Sequence, residues 1–446
     1  MHDTNNTSAV RAGNPDALLS RALGTRQLAA NIFNYTVGSG IFVLPAFAVL
    51  QLGTAAPLAY VACAIIIGLV VMCFAEAGSR VSSTGGPYAY VETAIGPVWG
   101  FVAGCLVLAT GTSAAAGVCN VLARSILTLA PGSSPWLYRG VVVLLVGTLV
   151  AINYRGVKTG ARVIETVTVA KLLPLIGFIV IGAFFIEPSN LVWTHVPEAS
   201  TVLSTAGIVI FAFSGIEGSL MPSGEVKNPA KTVPRAAFMA LGAATLLYLA
   251  IQFVALGVMG TDLANDRTTP LASAAGSIVG PVGRTILVVG AVISMFGYLS
   301  ANVLSEPRGL FAMSRDGFLP RMLSSVHPSF HSPHKAIVIY GVIVASIALS
   351  GTYETLTIFA NLSALMLYFL CAIAAYVLRR KDIRTDGEPY LTPGGPLVPV
   401  AACLSLSWLF YETVTLEQFV ALLIVLAVVF LLYGLRTWRL KAAQTA

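Results

Sequence analysis

Thr36-Val37-Gly38-Ser39-Gly40-Ile41-Phe42 lies inside the first long apolar segment of the chain, where its local chemistry is out of place. Two glycines around a serine make poor continuous helix. In hydrocarbon, a broken helix exposes N–H and C=O groups that lipid cannot satisfy, so a break survives where it lines a cavity or meets a ligand. A half-helix starting at the break offers free N–H groups, which attract an anion such as a carboxylate. Alone, the stretch could equally be a glycine packing notch between helices. A second break, Ser214-Gly215 in the sixth apolar segment, favours binding. Interrupted segments at matching places in two halves of a chain point to a site between them.

Two charges lie at comparable depth. Lys171 is about nine residues into the fifth apolar segment, about 14 Å from its inner end at 1.5 Å per residue. That is too deep to reach water easily, and an intramembrane lysine is a functional candidate by default. It reads either as a group whose proton is gained and lost or as a permanent structural strut. Glu217 also has two readings. Ser214-x-x-Glu217 fits a capping box for the second half of the sixth segment. The same carboxyl could take a proton or meet a cationic ligand in mid-membrane.

The elements that must position these groups are helices. The 446 residues are 57% hydrophobic and 10% charged, with mean hydropathy +0.84. Soluble domains carry about 25% charged residues, so this is a polytopic membrane protein. Twelve spans are expected, at 27–50, 56–79, 97–127, 137–154, 162–186, 202–222, 235–260, 281–306, 335–351, 355–378, 394–412 and 416–437. Each is near the roughly 20 residues that a crossing needs. With both termini inside, 21 of the 26 lysines and arginines fall on the inner side. Arg124, Arg139, Arg267 and Arg284 fall outside, and Lys171 lies within a span. This asymmetry sets the orientation and accounts for the net charge of +7 without any nucleic acid partner. The polar start, through Arg26, shows no cleavage site before the first span, so no cleaved signal peptide is expected. Ser82-Ser83-Thr84-Gly85-Gly86-Pro87-Tyr88 reads as a re-entrant or tight inner connection, and 379–396 as a charged, Pro/Gly-rich inner loop.

Several motifs occur together at fitting depths. They are Gly38-Ser39-Gly40-Ile41-Phe42, Gly86-Pro87-Tyr88, Phe211-Ala212-Phe213-Ser214-Gly215-Ile216-Glu217, Gly224-Glu225-Val226-Lys227-Asn228-Pro229 with Thr232-Val233-Pro234-Arg235, and Ala312-Met313-Ser314-Arg315-Asp316-Gly317. In this order they resemble the amino acid–polyamine–organocation (APC) superfamily of transporters. The resemblance implies an all-α, LeuT-like 5+5 inverted repeat plus two helices. Its parts would be an inner tail 1–26, a first repeat 27–186, a second repeat 202–378, a final helix pair 394–437 and an inner tail 438–446. It implies a substrate between broken spans one and six, with its carboxylate on the N–H groups around Gly38, Ser39 and Gly40. Carbonyls near Thr36 and from Phe211 to Ser214 and Gly215 would accept from its ammonium. It also implies that Lys171 stands where sodium-coupled relatives bind sodium, bridging span one to span eight, with Ser300 as the span-eight partner.

Further walls are expected from Thr110 and Ala114 in span three, Phe211 in span six and Asn302 in span eight. Phe211 reads as an aromatic lid or as plain packing. Leu106 and Ala114 stand where arginine exchangers of the superfamily have an aromatic residue and an asparagine, which favours a neutral side chain. Glu76 and Arg80 read as an interfacial i,i+4 pair. Glu225, Lys227, Arg308 and Asp316 read as solvated interfacial charges or as an inner gate. Cys63, Cys73, Cys105, Cys119, Cys371 and Cys403 are scattered through apolar segments and read as small buried hydrophobes. The histidines (His2, His195, His327, His331, His334) fall outside spans, and no metal or ATP motif is present.

The expected function is carriage of an amino acid across a bacterial-type inner membrane by alternating access, most simply proton symport of a neutral amino acid. Exchange, or carriage of a cationic amino acid or polyamine, is the alternative. A sensor would need a soluble output domain, and an enzyme would need a nucleophile–base pair; neither is read here. No cofactor is expected beyond a proton gradient as driving force. The expected partners are the amino acid and the bilayer; substrate identity, oligomeric state and any partner subunit stay open.

Overall fold

Glycine and proline punctuate the apolar runs, and the helices start at them. A proline at the first helical position loses no hydrogen bond, since that N–H has no intrahelical partner. The computed structural model describes residues 15–127, 134–193, 196–351, 353–385 and 387–445. His2, Arg11 and His195 lie outside the described residues. The helices are α1 (Thr25–Thr36), α2 (Gly40–Leu52), α3 (Pro57–Arg80), α4 (Pro87–Ile95), α5 (Pro97–Leu127), α6 (Pro135–Tyr154), α7 (Val157–Gly182), α8 (Ala199–Phe213), α9 (Ile216–Ser219), α10 (Pro229–Met259), α11 (Pro270–Ser305), α12 (Pro307–Arg315), α13 (His334–Ser350), α14 (Tyr353–Arg380), α15 (Leu397–Thr413) and α16 (Leu416–Thr445). Among the described residues the only β pairing outside strands is a single parallel bridge, Leu23 to Val226.

Among the described residues nine helices are long and apolar enough to cross a membrane, or ten when α1 and α2, bent by 48°, count as one span. The other two expected spans correspond to α13 and α15, which are apolar but only 17 residues each. Twelve full crossings are therefore not established by length. One local expectation changes. The connection before span three is a turn over 83–86 followed by a short helix, α4, so Pro87 and Tyr88 are helical. The helix of the eighth span starts at the expected 281, after a kink at Val279 and Gly280, and α11 as a whole runs back to Pro270. Its start is fixed by Asp266, which accepts from Ser273 Oγ at 2.5 Å and from the Thr269 and Thr268 N–H groups. Partial burial opposes the charge of Asp266, but these hydrogen bonds outweigh it and hold the carboxyl below the usual carboxylate range.

The helix pairings have an internal order. α3 packs on α10, α5 on α14, α7 on α11, α6 on α13, and α2 and α1 on α8 and α9. In span numbers these are 2 with 7, 3 with 10, 5 with 8, 4 with 9, and 1 with 6. Exchanging every span for the one five places away returns the same set, the property of a 5+5 repeat.

One end of the bundle is closed by buried charge. Arg308 Nε donates to Glu225 Oε2 at 3.0 Å and Nη2 to Oε1 at 3.3 Å, with both side chains fully enclosed. Arg308 also donates to Leu304 O. Glu76 and Arg80 are buried too, and their pair is extended by Arg379 and by Thr392 N–H, which donates to Glu76 at 3.1 Å. The picture of solvated charges is thus corrected for Glu225 and Arg308, which pair in the interior. Glu76 and Arg80 form their expected i,i+4 pair, but enclosed, with Ile383 and Thr392 bonded to it; Lys227 stays exposed. Arg315 holds Asp16 at 2.5 Å and Asp316 at 2.7 Å, and Tyr88 donates to Asp316 at 2.8 Å.

Removing one partner from a buried pair strands the other charge. Glu225→Gln and Arg308→Leu should each cost about 3–5 kcal/mol, read as a lower melting temperature of the purified protein. The double variant Glu225→Leu/Arg308→Leu should recover most of that loss. Single variants that melt with the wild type would show that the pair does not hold this end together.

Candidate functional site

α1 stops at Thr36 because Val37, Gly38 and Ser39 leave the helical path before α2 restarts at Gly40. α8 stops at Phe213 because Gly215 takes φ +135, a value that favours glycine. The two breaks lie against each other. A β-carbon on Gly40 would stand 3.1 Å from Ala212 Cα, and one on Gly215 would stand 2.8 Å from the Tyr35 carbonyl. Alanine at either place would push the breaks apart.

The carbonyls freed at the breaks are taken by side chains from other spans. Lys171 Nζ donates to Val37 O at 2.6 Å, with the ammonium 5.2 Å from the centre of the Phe33 ring. Ser294 Oγ lies 3.0 Å from both Val37 O and Gly38 O. Tyr248 Oη donates to Ala212 O at 2.7 Å, with Thr36 O at 3.2 Å. Lys171 is wholly buried, and among the described residues it makes no ion pair. The span-eight residue at Val37 is Ser294, not the expected Ser300. Ser300 Oγ donates instead to Phe296 O in its own helix at 2.8 Å. Ser300 stands six residues further along α11, on a different face of the helix.

Between the breaks lies a cavity of about 440 Å³, open mouth included. Thr36, Gly38, Ser39, Gly40, Thr110, Phe211, Ser214, Gly215 and Glu217 all line it. So do Ala114 and Val118 of α5 and Ala360, Asn361 and Ala364 of α14. Asn302 does not. It is fully enclosed behind the cavity, donating to Tyr35 Oη at 2.8 Å and Gly111 O at 3.0 Å and accepting from Tyr340 Oη at 2.7 Å. Its polar atoms are committed, and Tyr298, one turn earlier, takes the wall position.

Glu217 does not close a capping box with Ser214. The turn at Gly215 brings Gly215 N–H to Glu217 Oε2 at 2.9 Å, and Ser214 Oγ turns back to Ile210 O at 3.1 Å. Tyr368 Oη donates to the same carboxyl oxygen at 2.8 Å. Oε1 makes no hydrogen bond among the described residues, although it is buried.

Sequence reasoning missed Tyr35, Tyr298, Asn361 and Ser294. Tyr35 had a signal, being a polar aromatic residue two places before the first break. Asn361 had one too, as an amide inside an apolar span. The site can therefore seat a small ligand with an anionic group at the start of α2, where first-turn N–H groups have no helical partner. Its other end would meet the small side chains of α5 and α14.

Comparison with known proteins agrees with this geometry. A family model described as amino acid permease matches residues 23–438. The chain is 30% identical over 442 residues to a methylthioribose transporter of Bacillus subtilis (strain 168), covering 93% of this chain and 94% of that one. It is 26% identical to a branched-chain amino acid permease of the same organism, over 95% of each chain. A serine/threonine exchanger, also from that organism, is 27% identical over 86% of this chain and 89% of its own.

The Tyr248 hydroxyl is the strut between the breaks. Tyr248→Phe leaves Ala212 O buried without its donor, a cost of about 1–3 kcal/mol. The melting temperature should fall accordingly, and ligand-induced stabilisation should shrink because the two breaks lose a common support. A variant that matches the wild type in both would remove Tyr248 from the site.

Proposed function

The chain belongs to the amino acid permease family, and from that membership we propose that it is a proton-coupled carrier of a neutral amino acid working by alternating access. Family membership itself gives amino acid transport by a multi-pass membrane protein, and no enzymatic activity. The finer reading rests chiefly on Lys171. Its ammonium sits on Val37 O in the first break, supplying positive charge to carbonyls that would otherwise attract a cation. A proton carried by this amine would link the hinge between α1 and α2 to α7 and, through Ser294, to α11.

In this reading the substrate carboxylate meets the first-turn N–H groups of α2 around Gly40, beside Ser39. The ammonium meets carbonyls at the breaks and the free oxygen of Glu217. Both substrate charges are then held by residues of the two broken spans. Ala114, Val118, Ala360 and Ala364 leave room for a modest apolar side chain. The basic end of the bundle, closed by Arg308 and Glu225, faces the cytoplasm of a bacterial-type cell. Obligate exchange is the second reading, favoured by similarity to a serine/threonine exchanger.

The test is uptake into proteoliposomes free of internal amino acid. The panel holds labelled amino acids together with methylthioribose, the substrate in one relative's name. Concentrative uptake of a neutral amino acid should need an inward proton gradient and should not need sodium. Lys171→Gln should reduce accumulation to the level seen without a gradient. Uptake that appears only after preloading the lumen would make the protein an exchanger and overturn proton symport.

A further inference from the structure

We propose that Glu306 is a second proton-binding site of the transport cycle, set behind the substrate cavity and connected to it through Tyr35. The proposal rests on the transport reading above, but its residue and its evidence are separate from Lys171.

Glu306 lies where α11 passes into α12, and it is fully enclosed. Its Oε1 accepts from Tyr35 Oη at 2.6 Å. Its Oε2 is buried and makes no hydrogen bond among the described residues. The surrounding helices are shaped to this carboxyl. A β-carbon on Gly111 of α5 would stand 2.2 Å from it, and one on Gly218 of α9 would stand 2.5 Å from Oε1. Three elements, α1, α5 and α9, thus converge on an acid that α11 presents.

The charges around it do not neutralise it. From α1 it faces Tyr35, and from α13 Tyr340 lies two hydrogen bonds further, through Asn302. α9 contributes Glu217, itself an acid with an unbonded oxygen, and α5 contributes no titratable group at Gly111. On its own strand of chain, Tyr298 lies two turns back and Arg308 two residues on. Arg308 is already committed to Glu225 and Leu304 O. A carboxylate without a cation, near another acid and away from water, costs far more than the neutral carboxylic acid does. The site therefore holds the proton on Oε2 while the cytoplasmic end is closed.

Glu306 does not line the cavity, but Tyr35 does. A substrate in the cavity accordingly meets Tyr35 and not the carboxyl. Tyr35 is next to the last residue of α1, so a hinge at Val37–Ser39 carries it away from Glu306. Water then enters from the cytoplasmic side, takes the proton from Oε2 and hydrates the carboxylate that remains. Closure brings Tyr35 back to the carboxylate. Its hydroxyl passes its proton to the carboxyl and takes a replacement from the cavity, so the acid is reprotonated and Tyr35 ends neutral.

The test uses the full-length protein in proteoliposomes, comparing wild type, Glu306→Gln and Glu306→Asp. Substrate counterflow is measured at a series of symmetrical pH values, and accumulation is measured under an inward proton gradient. Glu306→Gln, a mimic of the protonated acid, should flatten the pH profile of counterflow. It should also reduce gradient-driven accumulation to the no-gradient level, with partial recovery in Glu306→Asp. A glutamine variant with the wild-type pH profile and wild-type accumulation overturns the proposal. If wild type shows no gradient-driven accumulation, proton symport fails, and the counterflow profiles alone judge Glu306 by the same criterion. If the glutamine variant does not fold, infrared difference spectra of wild type and Tyr35→Phe decide. A protonated carboxyl band that shifts when the Tyr35 hydroxyl is removed supports the site, and an unmoved spectrum overturns it.

Discussion

A helix broken away from water must find partners for the backbone groups it frees, and this requirement organises the molecule. At the first break Val37 O is held by Lys171 and Ser294, and Gly38 O by Ser294. Thr36 O shares the Tyr248 hydroxyl with Ala212 O of the second break. Three side chains, from α7, α10 and α11, thus support both interruptions. Each support is also a constraint, because a hinge motion at 37–39 must keep or exchange these bonds. The breaks are therefore coupled to the scaffold by the same contacts that make them tolerable.

Buried charge is distributed in two ways. At the end closed by Arg308 and Glu225, every enclosed charge has a partner of opposite sign, and the Glu76–Arg80 cluster follows the same rule. Around the breaks, Lys171, Glu217 and Glu306 are enclosed with no ion pair among the described residues. Paired groups make rigid closures, since separating them strands a charge. Unpaired groups can be relieved by a proton gained or lost, or by a charged ligand. The contrast fits a molecule in which one end opens as a unit while the centre changes its protonation and occupancy.

The breaks were legible in the sequence because glycine acts locally: Gly38 and Gly40 flank Ser39, and Gly215 takes a backbone conformation that other residues rarely adopt. Lys171 was legible because no charge sits in hydrocarbon without cause. What failed depended on register or on folding at a distance. Ser300 lies in the right helix, but its spacing of six residues from Ser294 turns it about 120° away, and the sequence does not say which face of α11 meets the first break. The capping box assumed helical backbone after Ser214, which the left-handed turn at Gly215 removes. Glu225 and Arg308 looked interfacial because loops that bury them are far away in sequence. Glu306 was hidden for a similar reason. Beside Pro307 it reads as the end of a helix, and only packing against Gly111 and Gly218 shows it to be enclosed.

The cavity is lined partly by the breaks and partly by the unbroken helices beside them. The groups suited to a carboxylate and an ammonium belong to the breaks themselves, at the start of α2 and the end of α8. The wall suited to a side chain comes from α5 and α14, which pack on each other as an extended pair. A ligand shifts a conformational equilibrium only by binding one state better than the other. Groups held at the breaks would change their geometry with any bend there, so a head group bound by them would carry differential affinity. The α5–α14 wall, built on unbroken helices, would contribute less to that difference. Ala114, Val118, Ala360 and Ala364 can then be varied to suit a different side chain without disturbing the linkage between binding and movement, which is how one fold could serve relatives named for substrates as unlike as branched-chain amino acids and methylthioribose.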